Sequence, residues 1–317
     1  MKRMYKMHET SIILLLLMYI AIVGMINPSF VQFNSLSLMM KSSVILVVLA
    51  IGQSFVLFTK NIDVSVGSIM GLSAAICGML LTNGYSAFFS IVATIILGAV
   101  IGFVNGIGVA KLRVPAIIMT LGMLGIIRGA MLIFTGGKWI EDIPNDFKRL
   151  SSIVILGLPM TVWIVLIILL LLYFFLMKVP YGRYFYAVGD NEDGARLIGI
   201  PVNKVKINAF IISGISAALA GCIFVMNIGF VPNQTGTGIE LQVIAATVLG
   251  GIHLKGGTGS IFGAALGALF LEAISSSLIF LKIPAFWNNA ISGFLLLLII
   301  ILDSVMKKWR AERRMNV

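Results

Sequence analysis

The chain has 317 residues; 59% are hydrophobic, only 11% are charged, and the mean hydropathy is +1.07. A chain this apolar cannot hide its side chains in one soluble core, so its solvent is a membrane. The net charge of +11 needs no nucleic acid: a basic bias on the cytoplasmic side and contact with anionic lipid account for it.

A helix needs about 20 mostly apolar residues to cross a bilayer. Ten runs qualify as candidates: 11–27, 37–58, 63–82, 88–110, 114–135, 152–177, 207–229, 239–253, 261–281 and 288–304. They predict an all-α polytopic membrane protein, a single transmembrane domain over 1–317. No small-residue cleavage site follows 11–27, so that run reads as a retained first helix. The runs at 63–82, which starts with Asp63, and 239–253, which is short and holds His253, read as broken or re-entrant helices. Such backbone is tolerated only where protein or a water-filled cavity covers it. Threading ten crossings from a cytoplasmic N-terminus places 17 Lys and Arg inside and 4 outside. Lys41 and Arg128 complete the total of 23 and lie within spans. Both termini, the loop 178–206 and the basic tail 305–317, with Trp309 at the interface, are then expected inside. The loop 135–152 falls outside, where Trp139 and Phe147 suit a short amphipathic helix.

Glycines mark helix packing. Gly98, Gly102 and Gly106 recur every four residues, as do Gly259, Gly263 and Gly267. That spacing puts each set on one helix face and lets another backbone approach closely. GSIMGLSAA at 67–75 resembles GSIFGAALG at 259–267, which permits a parallel duplication. Cys77 and Cys222, isolated in apolar runs, read as packing residues.

No G-x-x-x-x-G-K-[ST] phosphate loop occurs, and the two histidines, His8 and His253, form no metal-ligand pattern. No catalytic residue, metal or cofactor is assigned. The polar residues within spans are candidates for a solute pathway, because such residues are costly there. Asn61, Asp63 and Ser65 lie at a helix start, where Asp63 can cap exposed N–H groups. Asn105 sits among the packing glycines, with a helix–helix hydrogen bond as its default role. Arg128 and Glu272 lie deep in apolar runs and need partners: each other, another subunit, or water near the outer surface. Outside, Asn233, Gln234 and Glu240 in GFVPNQTGTGIE and Trp287 and Asn288 in IPAFWNN offer groups suited to a neutral polyhydroxylated solute; a solvated loop and an aromatic belt explain them equally.

The most polar interruption is KVPYGRYFYAVGDNEDGARLIGIPVNKVK, 178–206. EDGARLIGI reads as a short helix ended by Gly199 and Pro201, after a turn or helix start at Gly189-Asp190-Asn191. A short helix on the inner surface can fit a groove in a soluble protein and transmit motion.

Three stretches together resemble the permease subunits of bacterial ABC importers, the ribose/xylose/autoinducer-2 family: IGQSFVLFTKNIDVSVGSIMGLSAA, YGRYFYAVGDNEDGARLIGIPVNKVKINAFIISGISAALAG and VIAATVLGGIHLKGGTGSIFGAALGA. The resemblance covers roughly 40–305. NIDVSVGSI, TGGKWIE, GFVPNQTGTGIE and IPAFWNN are similar to the autoinducer-2 branch; the usual sugar permeases carry Gly where this chain has Asn61. The resemblance implies inward transport by alternating access, ATP and Mg on a separate cytoplasmic ATPase, an extracytoplasmic solute-binding protein, and a paralogous permease as heterodimer partner. It also implies that Gly182, Arg183, Gly189, Asn191, Ala195 and Gly199 couple to the ATPase. Rival readings are a permease for ribose, xylose or another monosaccharide, and an ion-coupled secondary transporter, which would need paired intramembrane carboxylates.

Overall fold

The structure, a computed structural model, describes residues 2–284 and, beyond them, 286–288, 290–291, 293–294, 297–298 and 301. The expected tenth span, 288–304, falls only partly within these residues, and the tail 305–317 with Trp309 lies outside them.

The described chain is helical almost throughout. In order come α1 (Lys2–Ile26), a 3-10 turn (Pro28–Val31), α2 (Phe33–Phe58), α3 (Val66–Thr82), α4 (Ala87–Ala110), α5 (Ala116–Thr135) and α6 (Asn145–Leu150). A two-stranded hairpin, β1 (Val154–Ile155) and β2 (Leu158–Pro159), precedes α7 (Met160–Lys178). Then follow α8 (Pro180–Asp190), α9 (Glu192–Leu197), α10 (Val202–Ile228), α11 (Ile239–Leu249) and α12 (Ile261–Phe280). Seven of these helices are long and apolar enough to cross a membrane. The sequence placed a helix over 152–177, but its first residues form the hairpin. Gly157 has φ +81 and turns the chain there, and α7 begins only after Pro159.

The two weak runs are short helices. At 1.5 Å per residue α3 rises about 26 Å and α11 about 17 Å, less than the ~30 Å hydrocarbon core. Each is preceded by non-helical backbone that runs along other helices. Residues 59–65 lead back from the end of α2 into the protein. Residues 231–238 descend beside α3: Val231 meets Gly78, Thr235 packs on Gly71, and Gly236 on Gly67.

The loops gather at two ends. At one, called end A, residues 59–61 line a cavity with 188–193, and Gly256 packs on Lys60. At the other, end B, Ile140 pairs with Val231 as an isolated bridge, and Asn233 Nδ2 donates to Gly137 O at 2.8 Å. GSIMGLSAA and GSIFGAALG both lead from end A towards end B.

Helix α10 is the most deeply buried of the long helices. It packs on α4 with almost no side chain between them. A Cβ on Gly98 would strike Gly214 O, one on Gly102 would strike Phe210 O, and one on Gly106 would lie 2.8 Å from Ile207 Cα. Gly52 of α2 meets Ser213 and Ser216, and Gly221 sits against Met70 and Ala74 of α3. Gly263 and Gly267 seat α12 on Gly250 and Ala246 of α11. Gly259 does not join that stripe as the four-residue spacing suggested. The helix starts after it, with Ser260 Oγ accepting from Phe262 N, and Gly259 packs on Ile252 at φ +131.

This packing yields a contrast between two substitutions. Gly102→Leu must push apart two backbones and should destabilise the purified protein by about 3 kcal/mol or more. Gly125→Leu, on α5 where no atom lies within 4 Å, should leave the thermal midpoint in detergent near that of the wild type.

Candidate functional site

The polar residues the sequence singled out separate into three groups. The first surrounds Asp63, which is fully buried. Its Oδ1 accepts from Ser65 N at 2.9 Å and from Ser65 Oγ at 2.6 Å, and its Oδ2 accepts from Ser213 Oγ at 2.9 Å. Asn105 Nδ2 donates to Ser65 Oγ at 2.9 Å, and Val64 N donates to Thr120 Oγ1 at 3.1 Å. The Gln53 amide, oriented towards the Asp63 main chain, donates to its O at 3.2 Å and accepts from its N at 3.3 Å. Side chains of α2 and α5 thus meet the backbone where α3 begins, and those of α4 and α10 hold the Ser65 and Asp63 side chains. Asp63, Ser65 and Asn105 form a fastening between helices. Asn61 is apart, bonded to Thr59 O and Oγ1 at 2.9 and 3.0 Å and facing the end A cavities.

The second group joins two helices deep in the fold. Arg128, the thirteenth of twenty residues in α5, donates to Glu240 Oε1 at 3.2 Å. Arg128 therefore pairs with Glu240 and not with Glu272, whose Oε1 accepts from Ser276 at 3.4 Å within α12. Glu240 stands in the first turn of α11, where a carboxylate favours the positive helix end. Its Oε2 is buried without a hydrogen-bond partner and lies against Gly67, in the first turn of α3. The starts of both short helices therefore meet at Glu240. The Arg128 side chain keeps 32% of its exposure, which would be costly if lipid covered it.

At end B, Trp139 stacks on Phe230 at 5.8 Å and stays exposed, while Phe147 of the six-residue α6 is buried. The expected amphipathic surface helix thus turns its aromatic residue inward. Lys41, assigned to a span, reaches Ser151 Oγ at 3.2 Å in this region. Gln234 and Trp287 are exposed, and Asn288 Oδ1 accepts from Ser275 Oγ at 2.8 Å.

The third group is 178–206, which holds two helices rather than a loop with one. Helix α8 belongs to the body. Gly182 packs on Phe175 O, Gly189 on Phe58 O and Gly257 N, and Tyr181 Oη accepts from Asn208 Nδ2 at 2.7 Å. Arg183 points to solvent. Asn191 opens α9, its Oδ1 accepting from Gly194 N at 2.9 Å, and Gly199 turns the chain at φ +81. Ala195 is the one buried residue of α9, whereas Leu197 and the following Ile198 are 88% and 75% exposed. Glu192 accepts from Arg196 at 2.9 Å and from Lys206 at 2.6 Å. Burial pushes the Glu192 carboxyl up, but the hydrogen bonds and charges of Lys206 and Arg196 outweigh it and hold it below its usual value. Two cavities of about 500 and 450 Å³ flank this pair, sharing Asn61, Glu192, Asp193 and Lys206 as a common wall. Sequence reasoning missed Lys206, counting it only as a basic residue, and missed Ser213. The seven-residue spacing of the two along α10 was the available signal.

Residues 35–300 match the protein family described as branched-chain amino acid transport system / permease component. The chain is 46% identical over 299 residues to the autoinducer 2 import system permease protein LsrC of Escherichia coli O157:H7, covering 94% of this chain and 87% of that one. It is 45% identical over 313 residues to the protein of the same name from Photorhabdus luminescens, covering 98% and 95%. No solved structure matches.

Two outcomes follow from the geometry. Asp63→Ala strands three buried donors and should cost on the order of 3 kcal/mol, read as a lowered thermal midpoint; Asp63→Asn, which keeps one acceptor oxygen, should fall between. The Glu192 carboxyl is depressed in the folded state, so its contribution is complete above the ordinary value of 4.5 and fades as pH drops below it. A spin label at exposed Leu197 should gain mobility across that acid range in the wild type, and be mobile at every pH in Glu192→Gln.

Proposed function

This chain belongs to the branched-chain amino acid transport system / permease component family, and we propose that it is the membrane permease of an ATP-binding cassette importer for autoinducer 2. The observation that carries this reading is identity of 45–46% with the named relatives over nearly the whole of both chains. The family description names branched-chain amino acids, but a likeness of that extent to proteins named for autoinducer 2 supports autoinducer 2 as the cargo. The furanose-like, hydroxyl-rich signalling molecule also suits what the spans offer, which is hydrogen-bonding groups and little net charge.

End A carries Lys60, Lys111, Arg113, Lys178, Arg183, Arg196, Lys204, Lys206 and Lys255, whereas end B carries Lys138, Lys148, Arg149 and Lys282. The positive-inside bias puts end A in the cytoplasm. A separate ATPase, carrying ATP and Mg, docks there. The projecting α9, with Leu197 and Ile198 bare, is the natural handle, and Arg183, Asn191 and Gly199 lie on the exposed side of the same segment. Gly182, Gly189 and Ala195 act by seating the segment on the body. A solute-binding protein delivers cargo at end B, near Trp139, Gln234 and Trp287. A second, paralogous permease completes the path beside α5, where half-exposed Arg128 needs a wet or proteinaceous neighbour. Glu240 and Arg128, at the meeting of two half-helix starts, are the groups a neutral polyol would meet within the membrane.

Proteoliposomes holding the permeases and the ATPase, with binding protein outside, test the reading. Autoinducer 2 should accumulate only with ATP inside, and excess ribose should compete poorly. Equal competition by ribose would reassign the cargo, and uptake without the ATPase would end the importer reading. A cysteine replacing Asp190 should resist impermeant thiol reagents applied to intact cells.

A further inference from the structure

We propose that the Glu192–Lys206 ion pair is the joint through which a force on α9 reaches the centre of the permease. The inference rests on the importer reading above and names the residues that transmit the motion.

Three observations converge on it. First, α8 and α9 are held differently. Helix α8 is wedged between backbones, with Gly189 against Phe58 and Gly257, and moves only with the body. Helix α9 is flanked by extended Asn191, at φ −151 and ψ 103, and by left-handed Gly199, and it buries only Ala195. An element attached so lightly can shift as a unit about its two ends.

Second, the attachment of α9 to a transmembrane helix is a specific charged contact. Lys206 Nζ donates to Glu192 Oε2 at 2.6 Å, and the Lys206 side chain is only 14% exposed. A lysine so covered loses more than an exposed one would if its partner left. Arg196 binds the other oxygen of Glu192 from within α9, fixing the carboxylate for Lys206.

Third, Lys206 stands on the stripe of α10 that faces the buried lock. Ser213 lies seven residues on, which at 3.6 residues per turn is nearly two full turns and the same face. Ser213 holds Asp63, Asp63 holds Ser65 at the start of α3, and Gly67, two residues on, abuts Glu240. An unbroken series of contacts therefore runs from α9 to the Arg128–Glu240 pair. Lys206 and Glu192 are positioning residues, since neither touches cargo in this route.

The experiment uses the complete complex in proteoliposomes and reads autoinducer 2 taken up per ATP hydrolysed, together with the amount of ATPase that co-purifies. Glu192→Lys and Lys206→Glu alone should each lower uptake per ATP roughly tenfold while the ATPase stays bound. The double swap, Glu192→Lys with Lys206→Glu, should restore most of it, which a merely structural role for either residue would not do. Single variants that keep the wild-type ratio overturn the joint. So does a double swap no better than the worse single, and so does loss of the ATPase from the single variants, which would make the pair a docking element. A wild-type complex showing no ATP-driven uptake would instead strike at the importer reading, independently of the variants.

Discussion

A bilayer cannot hydrogen-bond an unravelled backbone, and this chain twice runs non-helical backbone along its other helices, before α3 and before α11. Everything else in the fold depends on how those breaks are satisfied. At the first, the carboxylate of Asp63 gathers the N–H and hydroxyl of Ser65 and the hydroxyl of Ser213, while Gln53 answers the Asp63 main chain itself. One acidic side chain thereby ties the connection between α2 and α3 to α10, and Asn105 and Thr120 add α4 and α5. Removing the carboxylate would leave donors with nowhere to turn, because lipid offers no substitute. The second break is closed by geometry more than by polar groups. Residues 231–238 lie against the glycines of α3 so closely that a methyl group at Gly71 or Gly67 would collide with them.

Close backbone approach is also what assembles end A. The main-chain oxygen of Phe58 accepts from Gly257 N at 3.0 Å, and Gly189 packs onto both. Phe58, Gly189 and Gly257 come from the three sequence stretches that carry the family resemblance. Their meeting gives those stretches a common physical purpose: each supplies one wall of a junction too tight for a side chain. The junction fixes the end of α2, the end of α8 and the turn before α12 relative to one another.

Much of this was legible beforehand, for identifiable reasons. Long apolar runs announce spans because length and composition suffice, and the two short helices betrayed themselves by Asp63 and by the shortness of 239–253. What stayed hidden was pairing across distance. Arg128 and Glu240 are 112 residues apart, and the sequence favoured Glu272, deep in an apolar run, over Glu240 at the end of the polar segment GFVPNQTGTGIE. Gly259 misled because a period of four persists across a helix start, and only Ser260, the capping residue, marks where the helix begins. Helix α8 was unreadable for the opposite reason. Its two glycines and three tyrosines argue locally for turn or strand, and tertiary packing overrides that preference. The hairpin before α7 is apolar, so hydropathy merged it with the helix.

The distribution of rigidity then constrains where motion can occur. Helices in backbone contact, such as α4 with α10 and α11 with α12, cannot slide without collision, so each pair moves as one body. The junction at Phe58 makes α8 part of the body as well. Side-chain joints are different, because an ion pair or a hydrogen bond can hold while its two ends rotate. Such joints occur at Glu192–Lys206, at Asp63–Ser213 and at Arg128–Glu240, and they connect end A to the middle of the spans. A permease that opens alternately to its two sides needs rigid pieces and compliant links between them. Here glycine contacts supply the first and charged or hydroxyl contacts the second, so a substitution's effect on transport follows from which kind of contact it breaks.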